Sequence, residues 1–153
     1  MDVRTGDEPR KTLLIVEDDI LPAMALRDEL EAAGYNVLDL TGRHKEALAA
    51  AGRSLPDLAL VNIELEGRDD GIALAEDLKA LGIPVLLISG QVSRIQSAKT
   101  VAVASLPKPY NAADMVLAVD YLLGVRSGET RRSPPPGLQV FDRTAEGSDA
   151  APA

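Results

Sequence analysis

Five short apolar runs, at 12–16 (TLLIV), 37–40, 58–61, 84–88 and 101–106, alternate with stretches whose apolar residues recur at helical spacing. No other feature limits the possible folds as strongly. Strands that are apolar throughout must be buried on both faces, and a parallel sheet with a crossover helix after each strand supplies that burial. The helical stretches fall at 23–33, 45–51, 72–81, 93–100 and 112–123. Pro22 is tolerated in a first turn, and Gly34, Gly52 and Gly82 serve as stop signals. The expected fold is therefore α/β, a five-stranded parallel sheet flanked by helices on both faces. In such sheets the binding crevice lies beyond the carboxyl ends of the strands, so functional residues are sought there.

Composition removes several classes of function. A chain of 153 residues has the size of one domain. With no cysteine it has no disulfide framework, thiolate metal site or cysteine nucleophile. No apolar run approaches the ~18 residues of a membrane span, and MDVRTGDEPRK has no apolar signal-peptide region, so a cytoplasmic location without membrane contact is expected. The net charge of −8 comes entirely from residues 12–123, because 1–11 and 124–153 each balance their acids and bases. An acidic body with three Tyr, one Phe and no Trp lacks both phosphate-neutralising charge and stacking platforms, so direct nucleic-acid binding is not expected.

Three segments follow from the pattern: an N-terminal extension at 1–11, a domain at 12–123 and a tail at 124–153. Three consecutive prolines at 134–136 favour extended chain, and the tail reads as a linker with no room for an output module. Within it, only LQVF at 138–141 could pack on anything, either as a chance apolar patch or by adding as a strand or docking in a groove.

The residues that follow each run form a coherent set. Run one delivers Glu17, Asp18 and Asp19; run three delivers Asn62 and Glu64; run four delivers Ser89; run five delivers Lys108. Clustered oxygens suit a hard cation such as magnesium, a lysine neutralises phosphoryl oxygens, and a hydroxyl can donate to one of them. The set lacks a nucleophile.

LLIVEDD at 13–19, PDLALVN at 56–62, DG at 70–71, PVLLISG at 84–90 and LPKPY at 106–110 together resemble, in order, the blocks of response-regulator receiver domains of two-component phosphorelay signalling. The resemblance implies the flavodoxin-like (βα)5 receiver fold. It implies that Asp18 is the principal metal-binding acid with Glu17 beside it, and that the Glu64 main-chain carbonyl is a further metal ligand. Ser89 would be the hydroxyl residue and Lys108 the lysine of the site. Asn62 stands where the family has the aspartate that accepts phosphate. A neutral amide oxygen is a weak nucleophile and yields no stable acyl phosphate, and the lost charge weakens any hold on magnesium. Glu66 in place of a proline, a loop to Gly71 one residue longer, a shortened 89–108 stretch and Ser105 in place of a switching aromatic depart in the same direction.

The expected function is that of a bacterial pseudo-receiver: an atypical single-domain response regulator, not an enzyme, that requires no cofactor and acts through protein contacts. Its partner would be a histidine kinase or downstream regulator, or a second copy, bound through roughly residues 92–123. Two alternatives stay open: an ordinary phosphorylated regulator carrying an engineered Asp-to-Asn change at 62, and a small magnesium-dependent phosphohydrolase. Individual residues also have plainer readings. The acidic triplet could be a solvated turn, Lys108 a counter-ion, and Ser89-Gly90 a strand-ending turn. His44 reads as a surface residue. One of Asp69 and Asp70 is expected to cap the third helix, which weighs against a substitute acceptor there.

Overall fold

In the computed structural model, which describes residues 9–65, 70–128 and 133–141, the apolar runs become strands whose side chains alternate between two cores. The strands are β1 (Thr12–Val16), β2 (Asn36–Val37), β3 (Leu58–Asn62), β4 (Val85–Ser89), β5 (Ala104–Pro107) and β6 (Gln139–Val140). The helices are α1 (Ile20–Ala32), α2 (His44–Ser54), α3 (Gly71–Ala80), α4 (Val92–Gln96) and α5 (Ala112–Arg126). Leu13, Ile15, Leu58, Leu60, Leu86 and Ile88 face one way and pack with Leu26 and Leu30 of α1 and Met115, Val119 and Leu122 of α5. Leu14, Val16, Ala59, Val61, Val85 and Leu87 face the other way and meet Ala47 and Ala51 of α2, Leu74 and Leu78 of α3, and Ile95 of α4. The period-two side-chain direction of a strand produces this division. Among the described residues no helix is long and apolar enough to cross a membrane.

The sheet order is β2-β1-β3-β4-β5-β6, with every pair parallel except β5–β6. The α/β architecture and the five parallel strands are as expected, and β6 corrects the strand number to six. Its residues come from the LQVF segment assigned to a linker. Gly137, at φ 89°, turns the chain after the prolines. Gln139 and Val140 then pair antiparallel with Ser105 and Ala104, and the Phe141 N–H donates to the Val103 carbonyl at 2.7 Å. Leu138 is buried in the α1–α5 core. The edge of β5 offered unpaired backbone groups, and an alternating apolar segment close in sequence satisfied them.

Other boundaries shift for local reasons. The helix expected to stop at 123 runs to Arg126, because burial of Leu122, Leu123 and Val125 outweighs the ~1 kcal/mol helix penalty of Gly124. Gly128, at φ 106°, follows the cap residue Ser127 and is the effective stop. β2 closes after two residues instead of filling 37–40, although Thr41 rejoins β1 by a bridge to Val16. The 93–100 helix contracts to α4, and 97–101 become turns, so β5 starts at Ala104 instead of 101.

Truncating Leu138 to alanine in the full chain is expected to cost about 2 kcal/mol, the low end of the range for a buried leucine because the site lies at a sheet edge. Urea denaturation of the two proteins measures the difference.

Candidate functional site

The site lies where the strand order reverses. β1 has β2 on one side and β3 on the other, which opens a crevice at their carboxyl ends. Register brings the rim residues together: Val16 pairs with Val61, Asn62 with Ile88 and Ser89 with Pro107. Glu17, Asn62, Ser89 and Lys108 thus occupy successive strand ends along one edge.

Two glycines let neighbouring turns press on this edge. A Cβ at Gly71 would run into the Asn62 carbonyl oxygen and lie 2.7 Å from Ile63 Cα. The Gly71 N–H instead donates to the Ile63 carbonyl at 3.0 Å. Asp70 caps α3 by accepting from the Ile72 N–H at 3.0 Å, as expected for one of the two aspartates; Asp69 and Glu66 lie outside the described residues. A Cβ at Gly42 would come within 2.5 Å of Asp18 Cα, so the turn after β2 packs directly on the acidic segment.

Asn62 is buried, and its amide faces the acids. Nδ2 donates to the Glu64 carbonyl at 2.9 Å and to Glu17 Oε2 at 3.3 Å. Oδ1 is buried and has no hydrogen-bond partner among the described residues, a cost of about 1–3 kcal/mol for such an acceptor. Turning the amide over would set its oxygen against a carbonyl and a carboxylate, which is worse. The implied magnesium fits this arrangement poorly. Of the two implied ligands, Asp18 and the Glu64 carbonyl, the carbonyl already accepts an amide hydrogen from Asn62, as does Glu17 beside Asp18, and ligation by Oδ1 would require the amide to turn. Among the described residues no group of three or more histidine or acidic side chains is placed to hold a metal ion.

Burial is the main reason the Glu17 carboxyl is pushed above the ordinary glutamate value of 4.5. The Asp19 N–H, which donates to Glu17 Oε2 at 3.1 Å, and the Lys108 charge oppose that shift without cancelling it, while Asp18 adds to it. Tyr110, beside this edge, has its phenol pushed up by burial and by the Glu17 charge. Lys108 is exposed and acts on Glu17 through its field; its backbone N–H donates to the Ser89 carbonyl at 3.0 Å.

Ser89 is buried, and its Oγ donates to Glu64 Oε2 at 2.6 Å. The Gly90 N–H lies 3.4 Å from Glu64 Oε1. Sequence reasoning assigned Glu64 only a main-chain role and missed its carboxylate; the available signal was an acidic residue two positions beyond a strand-end amide. It also missed Arg94, whose Nη2 reaches Asp70 Oδ1 at 2.7 Å. His44, expected at the surface, stands at the start of α2 with its ring Nε2 2.7 Å from Asp77 Oδ2 of α3.

Residues 13–120 match the response regulator receiver domain family. The chain belongs to that family. This receiver domain is 37% identical over 123 residues to the transcriptional activator protein PfeR of Pseudomonas aeruginosa, covering 75% of this chain and 38% of PfeR. It is 30% identical over 116 residues to the transcriptional regulatory protein PdtaR of Mycobacterium tuberculosis, covering 73% of this chain and 56% of PdtaR. It therefore spans only 38% to 56% of the length of these two relatives. A CheY-like receiver domain protein from Methanospirillum hungatei superposes with a TM-score of 0.71 at 27% identity, over 78% of this chain and 98% of that one.

Replacing Gly71 with alanine should destabilise the receiver by about 2 kcal/mol, since backbone must move at Asn62 to admit the methyl; thermal unfolding measures it. Glu17→Gln tests the half-buried charge. A raised carboxyl pKa means the folded chain holds the proton more tightly, so the Glu17 contribution is fully present below pH 4.5 and lost as the pH rises through its folded pKa. The glutamine variant should thus be more stable than the wild type at pH 7, and the advantage should fade on acidification, in melting curves recorded across that range.

Proposed function

We propose that this receiver domain works in two-component signalling without phosphorylation at position 62, passing its signal through protein contacts. The observation that carries the reading is Asn62 itself, buried at the strand end with its amide donating to Glu64 and Glu17. An acyl phosphate requires attack by a carboxylate oxygen. A neutral amide, whose nitrogen lone pair is delocalised and whose oxygen bears no full charge, does not supply it. The amide hydrogens also serve the purpose a cation would serve, bridging the Glu17 carboxylate and the Glu64 carbonyl, so no magnesium is required. The same absence of a nucleophile weighs against a phosphohydrolase.

The partner would be a histidine kinase or a downstream regulator, and the contact surface would be drawn from residues 92–123. β6 modifies that surface by covering the β5 edge, which leaves α4 and the outer side of α5, where Leu117 is exposed, for the partner or for a second copy. PfeR and PdtaR, whose names describe them as transcriptional regulators, support a regulatory role. A cytoplasmic setting agrees with partners of that kind.

Acetyl phosphate or beryllofluoride, each with magnesium, should produce no widespread amide shifts in the wild-type chain by NMR; widespread shifts would overturn the reading. Asn62→Asp places a carboxylate against Glu17 and the Glu64 carbonyl and removes both donors. It should lose about 2 kcal/mol of stability in EDTA and regain much of it with magnesium, in paired denaturation curves. Ready phosphate uptake by that single variant would instead favour an ordinary regulator carrying an engineered asparagine.

A further inference from the structure

Two loops that leave neighbouring strands are bound to each other at two points. At the first, both oxygens of the Glu64 carboxylate are engaged by the β4–α4 turn: Oε2 by the Ser89 hydroxyl at 2.6 Å and Oε1 by the Gly90 N–H at 3.4 Å. The shorter contact lies in the range of charge-assisted O–H···O⁻ bonds. The Gln91 N–H donates to Ser89 Oγ at 2.9 Å, and for the hydroxyl hydrogen the Glu64 carboxylate is a nearer acceptor than the Gln91 carbonyl at 3.3 Å. At the second point, Arg94 of α4 reaches the Asp70 oxygen that caps α3. A hydroxyl and a backbone N–H converging at a strand end beside a lysine form an anion subsite by their chemistry, and this one already holds a carboxylate from its own chain.

We propose that Glu64 is a built-in anion, seated where an incoming phosphoryl group would be received by Ser89 and Gly90, and that it holds the 89–96 segment in one arrangement. This rests on the reading that no phosphate is attached at position 62, and it adds a cause for the fixed state. A conformational equilibrium shifts only when a ligand binds one state better than another. Here the differential contact is covalently tethered and always present. An external anion must expel Glu64 before it can use the two donors, so restoring a carboxylate at position 62 does not by itself restore a switch. Arg94–Asp70 extends the restraint from the turn into α4. Glu64 is a positioning residue in this scheme, since it acts through Ser89 and the turn.

Two comparisons test it. In the otherwise wild-type chain, Glu64→Ala should shift the Ser89, Gly90 and Gln91 amides and carry the change into 92–96. Glu64→Gln, which keeps an acceptor without the charge, should shift them less. In the aspartate background, Asn62→Asp/Glu64→Ala should bind beryllofluoride with magnesium ~10-fold more tightly than Asn62→Asp, the value of one charge-assisted hydrogen bond. Unchanged amides at 89–91 in Glu64→Ala, or equal affinities in the two aspartate proteins, would refute the proposal. If the aspartate variants do not fold, the first comparison decides. Beryllofluoride binding to the wild-type chain would count against the phosphate-free reading, whereas these comparisons between variants address Glu64 separately.

Discussion

Burial of the parallel sheet on both faces is the constraint on which the other features depend. Once β1, β3 and β4 are closed in by helices, the backbone groups within the strands are paired and their side chains are committed to one core or the other. Apart from Ser105 within β5, the buried polar side chains among the described residues then stand where strands end. Glu17, Asn62, Ser89 and Lys108 stand together because that is the first place along each strand where a polar side chain is not required to cross a core. The site is a consequence of the sheet, and its precision comes from parallel register, which is fixed by the same alternating side chains.

This explains what could be read without coordinates. The apolar runs and glycine stops are local signals, and they placed the five parallel strands and the rim residues. A cap from one of Asp69 and Asp70, and Asn62 at the end of β3, were equally legible, because each depends on near neighbours in sequence. Element boundaries were missed for local reasons, whereas the missed contacts all involve distant partners. Gln139 and Val140 join the sheet only because the β5 edge is there to receive them; the sequence offered strand addition beside a chance apolar patch but did not name that edge. The Glu64 carboxylate finds Ser89 across 25 residues, and Arg94 finds Asp70 across 24. No periodicity records such pairs. The end of α5 was misjudged because Gly124 resembles a stop until the burial of Val125 is known.

The rim also shows how a neutral amide at a strand end distributes polar contacts. The Asn62 amide ties together two oxygens that would otherwise repel, at the cost of one buried acceptor without a partner among the described residues. Glu17 remains penalised by its partial burial, which the Lys108 field and the Asp19 N–H offset in part while the Asn62 amide also donates to it. Ser89 is not idle either, being hydrogen-bonded on both its donor and acceptor sides. Asn62 and Ser89 therefore have structural work in this chain, and their presence does not by itself argue for phosphate chemistry.

β6 carries a consequence for how any binding partner must compete. The strand is joined to α5 by a short stretch of the same chain, so its local concentration at the β5 edge is set by the tether and is of millimolar order, whatever the cellular abundance of the protein. A foreign strand seeking that edge would have to be present at comparable concentration or pair far more strongly. The tail thus acts as a threshold: casual edge-to-edge pairing between copies is suppressed, while a high-affinity ligand, or cleavage between α5 and β6, would open the edge.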